Sequence, residues 1–364
     1  MNQTQTNLSA IARDDVADLA RGAAILGTGG GGDPHIGALM ALEAIERHGP
    51  VQLVAPADVP AQAAVFSIAM MGAPTVMVEK LPAVDQFTNA VEALATYLGR
   101  QPTHIVCMEA GGVNSTIPVV TAARMGLPLI DGDFMGRAFP ELQMVTASLY
   151  GIAASPMSIT DDKGNAGIFT TVSNLWTERL ARAATVEMGA SAIVSLYPMT
   201  GAQAAQSAVA GTLSLCVRLG RAVRQARADL ADPVAQVARE LGGRVVYQGK
   251  VVDIVRRTTA GFARGEATFQ GVGPDLGTVV EMSFQNENIV VVRDGQVVAT
   301  APDLIIGLEA DTGEPITTEG LRFGHRLALV VAPCDERWQT PAGLDLVGPR
   351  YFGYDIDPVR WNTH

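Results

Sequence analysis

The sequence has few cysteines, few aromatic residues and few basic residues, and each shortage excludes a class of protein. Only three cysteines occur in 364 residues, at Cys107, Cys216 and Cys334. An odd number at such wide spacing does not make a disulfide framework, so it predicts reduced thiols and a cytoplasmic location. Neither a zinc-ribbon cysteine spacing nor an HExxH motif is present.

The shortage of positive charge argues against nucleic acid as a partner. Lys and Arg number 26 against 37 Asp and Glu, which gives a formal net charge of −11. Such a chain repels a phosphate backbone, and no basic stripe offsets the repulsion. Apolar runs are interrupted by Arg, Asp or Pro well before the ~18 residues of a membrane span. The N-terminal stretch lacks the basic start and apolar core of a signal peptide. The sequence therefore predicts neither membrane association nor export.

Hydrophobic residues are abundant, at 48%, and the length favours two domains. In the first half, short apolar strands alternate with amphipathic helices such as DQFTNAVEALATYLG, whose stripe contains Phe87, Val91 and Leu94. This pattern predicts a doubly wound α/β domain over residues 1–165. Residues 244–333 read as strands and turns, with a hairpin at Asp294-Gly295. We therefore expect a second, α+β domain rich in antiparallel strands over residues 166–364.

The glycine-rich stretch GTGGGGDP, residues 27–34, has three interpretations. Its letters match a dinucleotide fingerprint, but the preceding segment predicts a helix and Asp33 would repel a phosphate. A helix-to-helix turn with Asp33 as the cap of the next helix explains the same letters. The sharper hypothesis is that bare backbone lets a small planar ligand lie against N–H groups. That hypothesis predicts these substrate-binding residues: Gly29, Gly30, Gly31, Gly32 and Asp33.

Two further loops follow predicted neighbouring strands and carry acidic residues. VCMEAGGVNST contains Glu109, and LPLIDGDFMGRAFPE contains Asp131 and Asp133. Open α/β sheets bind ligands at the carboxyl ends of their strands, so these carboxylates are expected to converge. Converging carboxylates need a cation, a shared proton or an Arg, here Arg137. The structural alternative is that Asp131 ties down a loop, Asp133 caps a helix MGRAFPELQM and Glu109 bonds to backbone.

The convergence hypothesis assigns roles to individual residues. The predicted metal ligands are Asp131, Asp133, Glu109 and, as a soft ligand or simply a buried side chain, Cys107. The predicted catalytic residues are Glu109, Asp133, Asn114 and Arg137. SFQNENIV reads as a turn or as a polar wall at the domain interface, and Asn286 within it is predicted to bind substrate. His35 and His325 have no assigned role: each is placed where it could reach the site, and an exposed helix position for His35 or an ordinary core or surface position for His325 explains it equally well.

Taken together, GTGGGGDP, MEAGGVNSTIPVVTAARMGLPLIDGD, MGRAFPELQM, SFQNENIV and APDLI resemble the S-methyl thiohydantoin desulfurase family, whose members were long described as hydantoinase/oxoprolinase-like. The resemblance covers nearly the whole chain, in the same order. It implies a zinc-dependent hydrolase that removes methanethiol from an S-methylated thiohydantoin and leaves a hydantoin. The expected cofactor is therefore a divalent metal, zinc by resemblance.

The chemistry that the resemblance implies is hydrolysis at a ring carbon bonded to two nitrogens and one sulfur. A metal-activated water would attack this carbon, and a carboxylate would move the protons. Two rival hypotheses stay open: a nucleotide-dependent hydantoinase/oxoprolinase-like enzyme, and a non-catalytic subunit of such a complex. The expected partner is a small heterocyclic substrate, and base rates alone favour a homo-oligomer.

Overall fold

A mixed eight-stranded sheet forms the first half of the chain in the computed structural model, which describes residues 8–72, 83, 85–259 and 262–362. The strand order is β1-β2-β5-β4-β3-β9-β7-β8. The four strands β2, β5, β4 and β3 are parallel, and the outer strands pair antiparallel. β3 is buried along nearly its whole length, as expected of a central strand covered on both faces. The strands are β1 (Ala10–Ile11), β2 (Val51–Val54), β3 (Ala64–Gly72), β4 (His104–Cys107), β5 (Leu129–Ile130), β7 (Met157–Thr160), β8 (Ala166–Phe169) and β9 (Ser191–Thr200).

Helices pack around this sheet and continue between it and the second half of the chain. The described helices are α1 (Val16–Leu26), α2 (His35–His48), α3 (Asp85–Leu98), α4 (Ile117–Met125), α5 (Thr146–Leu149), α6 (Asn174–Glu187), α7 (Gly201–Ser207), α8 (Thr212–Ala228), α9 (Pro233–Glu240) and α10 (Pro341–Val347). The predicted amphipathic helix is present as α3, where Phe87, Val91 and Leu94 are buried. A small ladder joins β6 (Gly132–Asp133) to β10 (Val209–Ala210).

A seven-stranded antiparallel sheet makes up most of the second half and curls into a half-barrel. Its order is β15-β14-β13-β12-β11-β17-β16. The strands are β11 (Arg244–Thr259), β12 (Phe262–Gly271), β13 (Val279–Gln285), β14 (Glu287–Arg293), β15 (Gln296–Thr300), β16 (Leu304–Glu309) and β17 (Arg326–Ala332). The predicted hairpin turn is present, with Asp294 and Gly295 both at positive φ between β14 and β15.

The predicted fold classes are confirmed, and the structure adds a detail about the boundary and corrects one predicted helix. The predicted boundary at 165/166 falls within the β7–β8 hairpin, so strands from both sides of it belong to one sheet. The segment after Asp133, predicted as a helix, is irregular between residues 134 and 145, where Gly136 lies at positive φ and Pro140 interrupts the chain. None of the helices among the described residues is long and apolar enough to cross a membrane.

The two halves share an apolar junction. The larger hydrophobic core contains most of the first half together with Ile289, Val290 and Leu304 from the second sheet. A separate core lies within the second sheet, around Phe269 and Leu329. The turn between β13 and β14 is therefore held against the first half, which brings Asn286 and Glu287 to the carboxyl ends of β3 and β4.

Candidate active site

A cleft of about 80 Å³ lies where the first sheet meets the β13–β14 turn. One wall is the end of β3, including Met70. A second is the loop after β4, with Glu109 and Asn114, and a third is the turn itself, with Asn286 and Glu287. Because β4 ends at Cys107 and a 3-10 turn follows at Gly112–Ser115, the intervening residues leave the sheet and line the cleft.

Glu109 is a buried carboxyl with one oxygen engaged and one bare. Its side-chain Oε1 accepts a hydrogen bond of 2.6 Å from Asn114 Nδ2. Its Oε2 has no hydrogen-bond partner among the described residues, although Glu109 is only 7% exposed. Burial raises the pKa of Glu109 to about 7, and the charge of Asp133 also raises it, whereas the Asn114 side chain and the nearby Phe139 backbone N–H lower it. The carboxyl is thus able to hold or release a proton near neutral pH.

Asn114 fixes the position of Glu109. The Asn114 Oδ1 atom accepts a 2.7 Å hydrogen bond from the Met70 N–H, and Nδ2 donates to the Met70 carbonyl at 3.3 Å as well as to Glu109. The amide is therefore anchored to β3 at both ends. It holds Glu109 Oε1 in place and leaves Oε2 as the buried oxygen without a hydrogen-bond partner among the described residues.

Glu287, the first residue of β14, supplies a second carboxyl from the other half of the chain. It is 2% exposed, and within the part of the chain that the structure describes its Oε2 has no hydrogen-bond partner. Burial raises the pKa of Glu287 well above its ordinary value, and the nearby Glu109 raises it further. A Cβ on Gly30 would lie 2.0 Å from Glu287 Oε1, so only a glycine at this position leaves room for the carboxyl.

Asn286 shapes the turn that presents Glu287. Asn286 lies at φ 56°, its backbone N–H donates to the Ala263 carbonyl at 2.7 Å, and its Oδ1 accepts from the Ala263 N–H at 2.8 Å. Its carbonyl accepts a 2.6 Å bond from Thr318 Oγ1. Asn286, which the sequence predicts to bind substrate, lines the cleft, and its side-chain amide oxygen is already engaged in the turn.

The two aspartates of the predicted site have their oxygens occupied by backbone and hydroxyl donors. Asp131 accepts from Ser214 N–H at 3.0 Å and from Ser214 Oγ at 2.6 Å. Asp133 accepts from the N–H groups of Ala110, Met135 and Gly136 at 2.7–3.2 Å. Burial nonetheless raises the pKa of Asp133 to about 7. Each carboxyl organises a loop, which is the structural alternative that the sequence left open.

The four predicted metal ligands do not fit a metal ion as the structure arranges them. Cys107 Sγ donates to the carbonyls of Glu109 and Asn114 at 2.8 and 3.2 Å, and burial raises the pKa of this thiol well above its ordinary value. Among the described residues, no three His, Cys, Asp or Glu side chains are grouped so that they could hold an ion. Glu109 and Glu287 have bare oxygens, but two protein ligands fall short of the three in a typical catalytic zinc site.

Arg137 has partners other than the aspartates that the sequence suggested. Its guanidinium donates to the backbone carbonyls of Asn288, Pro302 and Asp303 at 2.7–3.2 Å and lies 4.7 Å from the centre of the Phe139 ring. All three carbonyls belong to the second half of the chain. Arg137 therefore fastens the two halves together beside Glu287, and burial lowers its pKa to about 10.

The glycine loop is mainly a place where three segments pack closely. A Cβ on Gly29 would lie within 3 Å of the Asn288 and Thr318 side chains, and one on Gly31 would meet the Gly111 backbone at 2.7 Å. Gly31 lines the cleft, whereas Gly32 is buried at φ 73°. A phosphate in this loop would meet the Glu287 carboxyl, which argues against the nucleotide hypothesis.

Asp33 lies outside the cleft. Its Oδ1 accepts at 2.9 Å from the N–H of His35, the first residue of α2, whereas the N-cap position of that helix is occupied by Pro34 and not by Asp33 as predicted. Asp33, His35 and His325 line a separate cavity of about 780 Å³. The smaller cleft is the better candidate for chemistry because it contains two buried carboxyls with bare oxygens.

The cleft is also lined by Glu287, Glu178 and Arg182, to which the sequence analysis assigns no role. Glu287 carried a usable signal, since SFQNENIV places polar residues between apolar strands. Glu178 and Arg182 had none, because in α6 they look like an ordinary exposed i,i+4 pair. In the structure Arg182 donates to the Glu178 carboxylate and to the Pro140 carbonyl, and it lies 4.4 Å from the Phe262 ring.

Comparisons with known proteins agree with this division of the chain into two parts. The family description "S-Me-THD-like, N-terminal domain" matches residues 14–171, and "S-Me-THD-like, C-terminal domain" matches residues 172–360. A crystal structure of a protein from Chromobacterium violaceum superposes with a TM-score of 0.79 at 21% identity and covers 96% of this chain and 99% of its own. At that identity the likeness shows the fold alone. No curated protein matches the chain in sequence.

Proposed function

The chain belongs to the S-Me-THD-like family, and from that premise we propose that it is a hydrolase of a five-membered cyclic amide or thioamide. The family is named for an S-methyl thiohydantoin desulfurase, so an S-methyl thiohydantoin is the first substrate to test. The observation that carries the proposal is the pair of buried carboxyls, Glu109 and Glu287, each with a bare oxygen in one cleft.

The two carboxyls suit different halves of the reaction. Glu109, with a pKa of about 7, is partly ionised at neutral pH and is the proposed general base. Glu287, whose pKa burial raises well above its ordinary value, is the proposed general acid. Asn114 positions the base by holding Glu109 Oε1, so that Oε2 faces the water.

The proposed reaction consumes one water and releases one thiol. Glu109 Oε2 takes a proton from water as the water oxygen bonds to the ring carbon between the two nitrogens, and the carbon–nitrogen π electrons move onto nitrogen. The carbon–sulfur bond then breaks as that electron pair restores the carbon–nitrogen double bond, and Glu287 gives its proton to the departing sulfur. The proton of the new hydroxyl group passes to the ring nitrogen, which completes the carbonyl. The products are a hydantoin and methanethiol. The proton on Glu109 returns to Glu287, directly or through water, which restores the starting state.

Methanethiol release from purified protein tests this proposal. We expect Glu109→Gln and Glu287→Gln each to lower kcat by about 10²- to 10⁴-fold, the usual contribution of a general acid or base. Glu92→Gln, which changes an exposed glutamate of α3, is the matched control and should leave kcat unchanged. Full activity in either cleft variant, or no turnover by the wild type, would overturn the proposal. The second result would favour a non-catalytic subunit.

Zinc dependence and oligomeric state stay predictions. The structure does not arrange Asp131, Asp133 and Cys107 as metal ligands. None of the proposed reaction steps requires a metal. Metal analysis of the purified protein, with methanethiol release measured before and after chelation, tests the zinc prediction. Light scattering tests the predicted homo-oligomer.

A further inference from the structure

The titratable side chains that line the cleft are strongly biased towards acids. Four of them are carboxyls, at Glu109, Glu141, Glu178 and Glu287, and Arg182 is the cation among the lining residues. In the proposed mechanism Glu287 carries a proton, and Glu178 is paired with Arg182, so the negative charge open to a ligand lies on Glu141 and on ionised Glu109, where it attracts groups of the opposite sign. The arrangement therefore bears on which substituents a substrate can carry.

Arg182 is already committed to protein partners. Its guanidinium pairs with the Glu178 carboxylate one helical turn away, donates to the Pro140 carbonyl at 3.2 Å and lies over the Phe262 ring. The Glu178 carboxyl is itself buried and also accepts from the Leu142 N–H at 3.0 Å. An anionic substituent would have to compete with this pair for the guanidinium.

Glu141 is in the opposite situation, since its carboxylate is held in place but not neutralised. Its Oε2 accepts from the Tyr351 hydroxyl at 2.8 Å and from the Gln143 side-chain amide, both of which are uncharged. Within the described residues no Lys, Arg or His forms an ion pair with Glu141, and Arg182 of the cleft pairs with Glu178 instead. Burial raises the pKa of Tyr351 to about 12, and the adjacent Glu141 carboxylate also raises it.

We propose that the half-buried end of the cleft around Glu141 is a subsite for a cationic substituent, an ammonium or guanidinium group, on the heterocyclic substrate. The ring lies deeper, against the bare oxygens of Glu109 and Glu287, and the cation reaches Glu141. Two neutral donors already orient the carboxylate, so an arriving cation gains a charge-assisted hydrogen bond without ordering the acceptor. This inference rests on the proposed function for the identity of the ring.

Three S-methyl thiohydantoins whose ring substituents are aminobutyl, butyl and carboxypropyl test the subsite through kcat/KM. For the wild type we expect the amine to exceed the neutral compound, and the neutral compound to exceed the acid, by about tenfold at each step. In Glu141→Gln the amine should lose about tenfold while the neutral compound changes less than about twofold. Glu141→Asp, which keeps the charge, should retain a preference for the amine and guards against a Gln variant that folds poorly.

Glu187→Gln is the matched control, because Glu187 is an exposed glutamate on the same helix as Arg182. This variant should leave all three kcat/KM values unchanged. Equal kcat/KM for the three compounds in the wild type would overturn the subsite while leaving the proposed function intact, and so would an undiminished preference in Glu141→Gln.

Calorimetric binding of the three corresponding hydantoins separates the two proposals when turnover is absent. Tighter binding of the aminobutyl hydantoin that disappears in Glu141→Gln would support the subsite even if the hydrolase proposal fails. Equal affinity for all three, or no binding of any of them, would overturn the subsite.

Discussion

The loop that contains Asp131 and Asp133 and the pair formed by Glu109 and Glu287 use the same chemical group in opposite ways. The aspartate oxygens accept hydrogen bonds from N–H and hydroxyl donors that belong to the protein. Each glutamate keeps one oxygen without a partner among the described residues. Buried polar groups are normally satisfied, so the bare oxygens are the unusual feature. Clustering of acidic residues in the sequence is therefore a weaker sign of a catalytic site than a buried carboxyl oxygen that lacks a hydrogen-bond donor.

Removal of the bare carboxyls should have the largest effect on turnover and little on folding. We expect Glu109→Gln to lose about 10²- to 10⁴-fold in kcat while its free energy of unfolding at neutral pH stays the same or rises. The reason is that the variant no longer buries an ionisable group that is partly charged. Methanethiol release and urea unfolding on the same sample check this pair of outcomes. A variant that is active but unstable would mean that Glu109 contributes to folding and not to catalysis.

Removal of a satisfied carboxyl should do the opposite. Asp131→Ala leaves the Ser214 N–H and hydroxyl buried without their acceptor, which costs about 2–3 kcal/mol of folding free energy. Turnover per folded molecule should stay close to that of the wild type, because Asp131 does not line the cleft. Urea unfolding together with active-site titration measures both quantities. A large fall in kcat without loss of stability would return Asp131 to the catalytic set.

The pH dependence of stability tests whether Glu109 carries its proton in the folded protein. Its folded pKa of about 7 lies above its ordinary 4.5, so the native state holds a proton that the unfolded chain has lost between these values. The free energy of unfolding should therefore be highest below about pH 4.5 on account of this group and should fall as pH rises through 7. In Glu109→Gln the fall should be smaller, by about 3 kcal/mol at most.

Urea unfolding at about pH 5 and about pH 8 measures that difference for the wild type and the variant. Asp133, whose folded pKa is also about 7, should contribute a fall that remains in the variant. Identical pH dependence in the two proteins would mean that Glu109 is not protonated in the native state.

Gly30→Ala should have the smallest effect and tests how tightly the second carboxyl is placed. The new methyl group would overlap the Glu287 carboxyl, which must then move. We expect kcat to fall about tenfold, since small displacements of catalytic groups are costly. Gly167→Ala is the control, because a Cβ there would lie at an ordinary 3.5 Å from Ile159. Unchanged kcat in Gly30→Ala would show that the position of Glu287 does not matter.

The sequence predicted the fold classes because local patterns determine them. Alternation of apolar strands with amphipathic helices, and the Asp294-Gly295 turn, are both visible within short windows. The helix expected after Asp133 is absent for a local reason: Gly136 lies at positive φ, Pro140 interrupts the segment, and Asp133 accepts the N–H groups of the turn at Met135 and Gly136. The boundary near 165 stays a prediction: β8 and β9 follow it and return to the first sheet, whereas the two family descriptions divide the chain between residues 171 and 172.

The site was predicted only in part, because half of it depends on contacts between distant segments. Glu109 and Asn114 follow a strand within a few residues, so their position could be anticipated. Glu287 reaches the same cleft from almost 180 residues further along the chain, through a hairpin turn that only the assembled core holds in place. The burial that raises its pKa is likewise a property of the folded molecule.

The hydrogen bonds from Arg137 to three carbonyls of the opposite half bear on how the protein would lose activity. In the proposed mechanism the proton donor, Glu287, and the proton acceptor, Glu109, belong to different halves of the chain. The Arg137 guanidinium helps to hold the two halves in register. A displacement of one half relative to the other by less than the width of an atom would leave the strands intact and still halt proton transfer. Inactivation by mild denaturant should therefore occur at a lower denaturant concentration than the loss of the circular-dichroism signal. Substitution of Arg137 should widen the interval between these two concentrations.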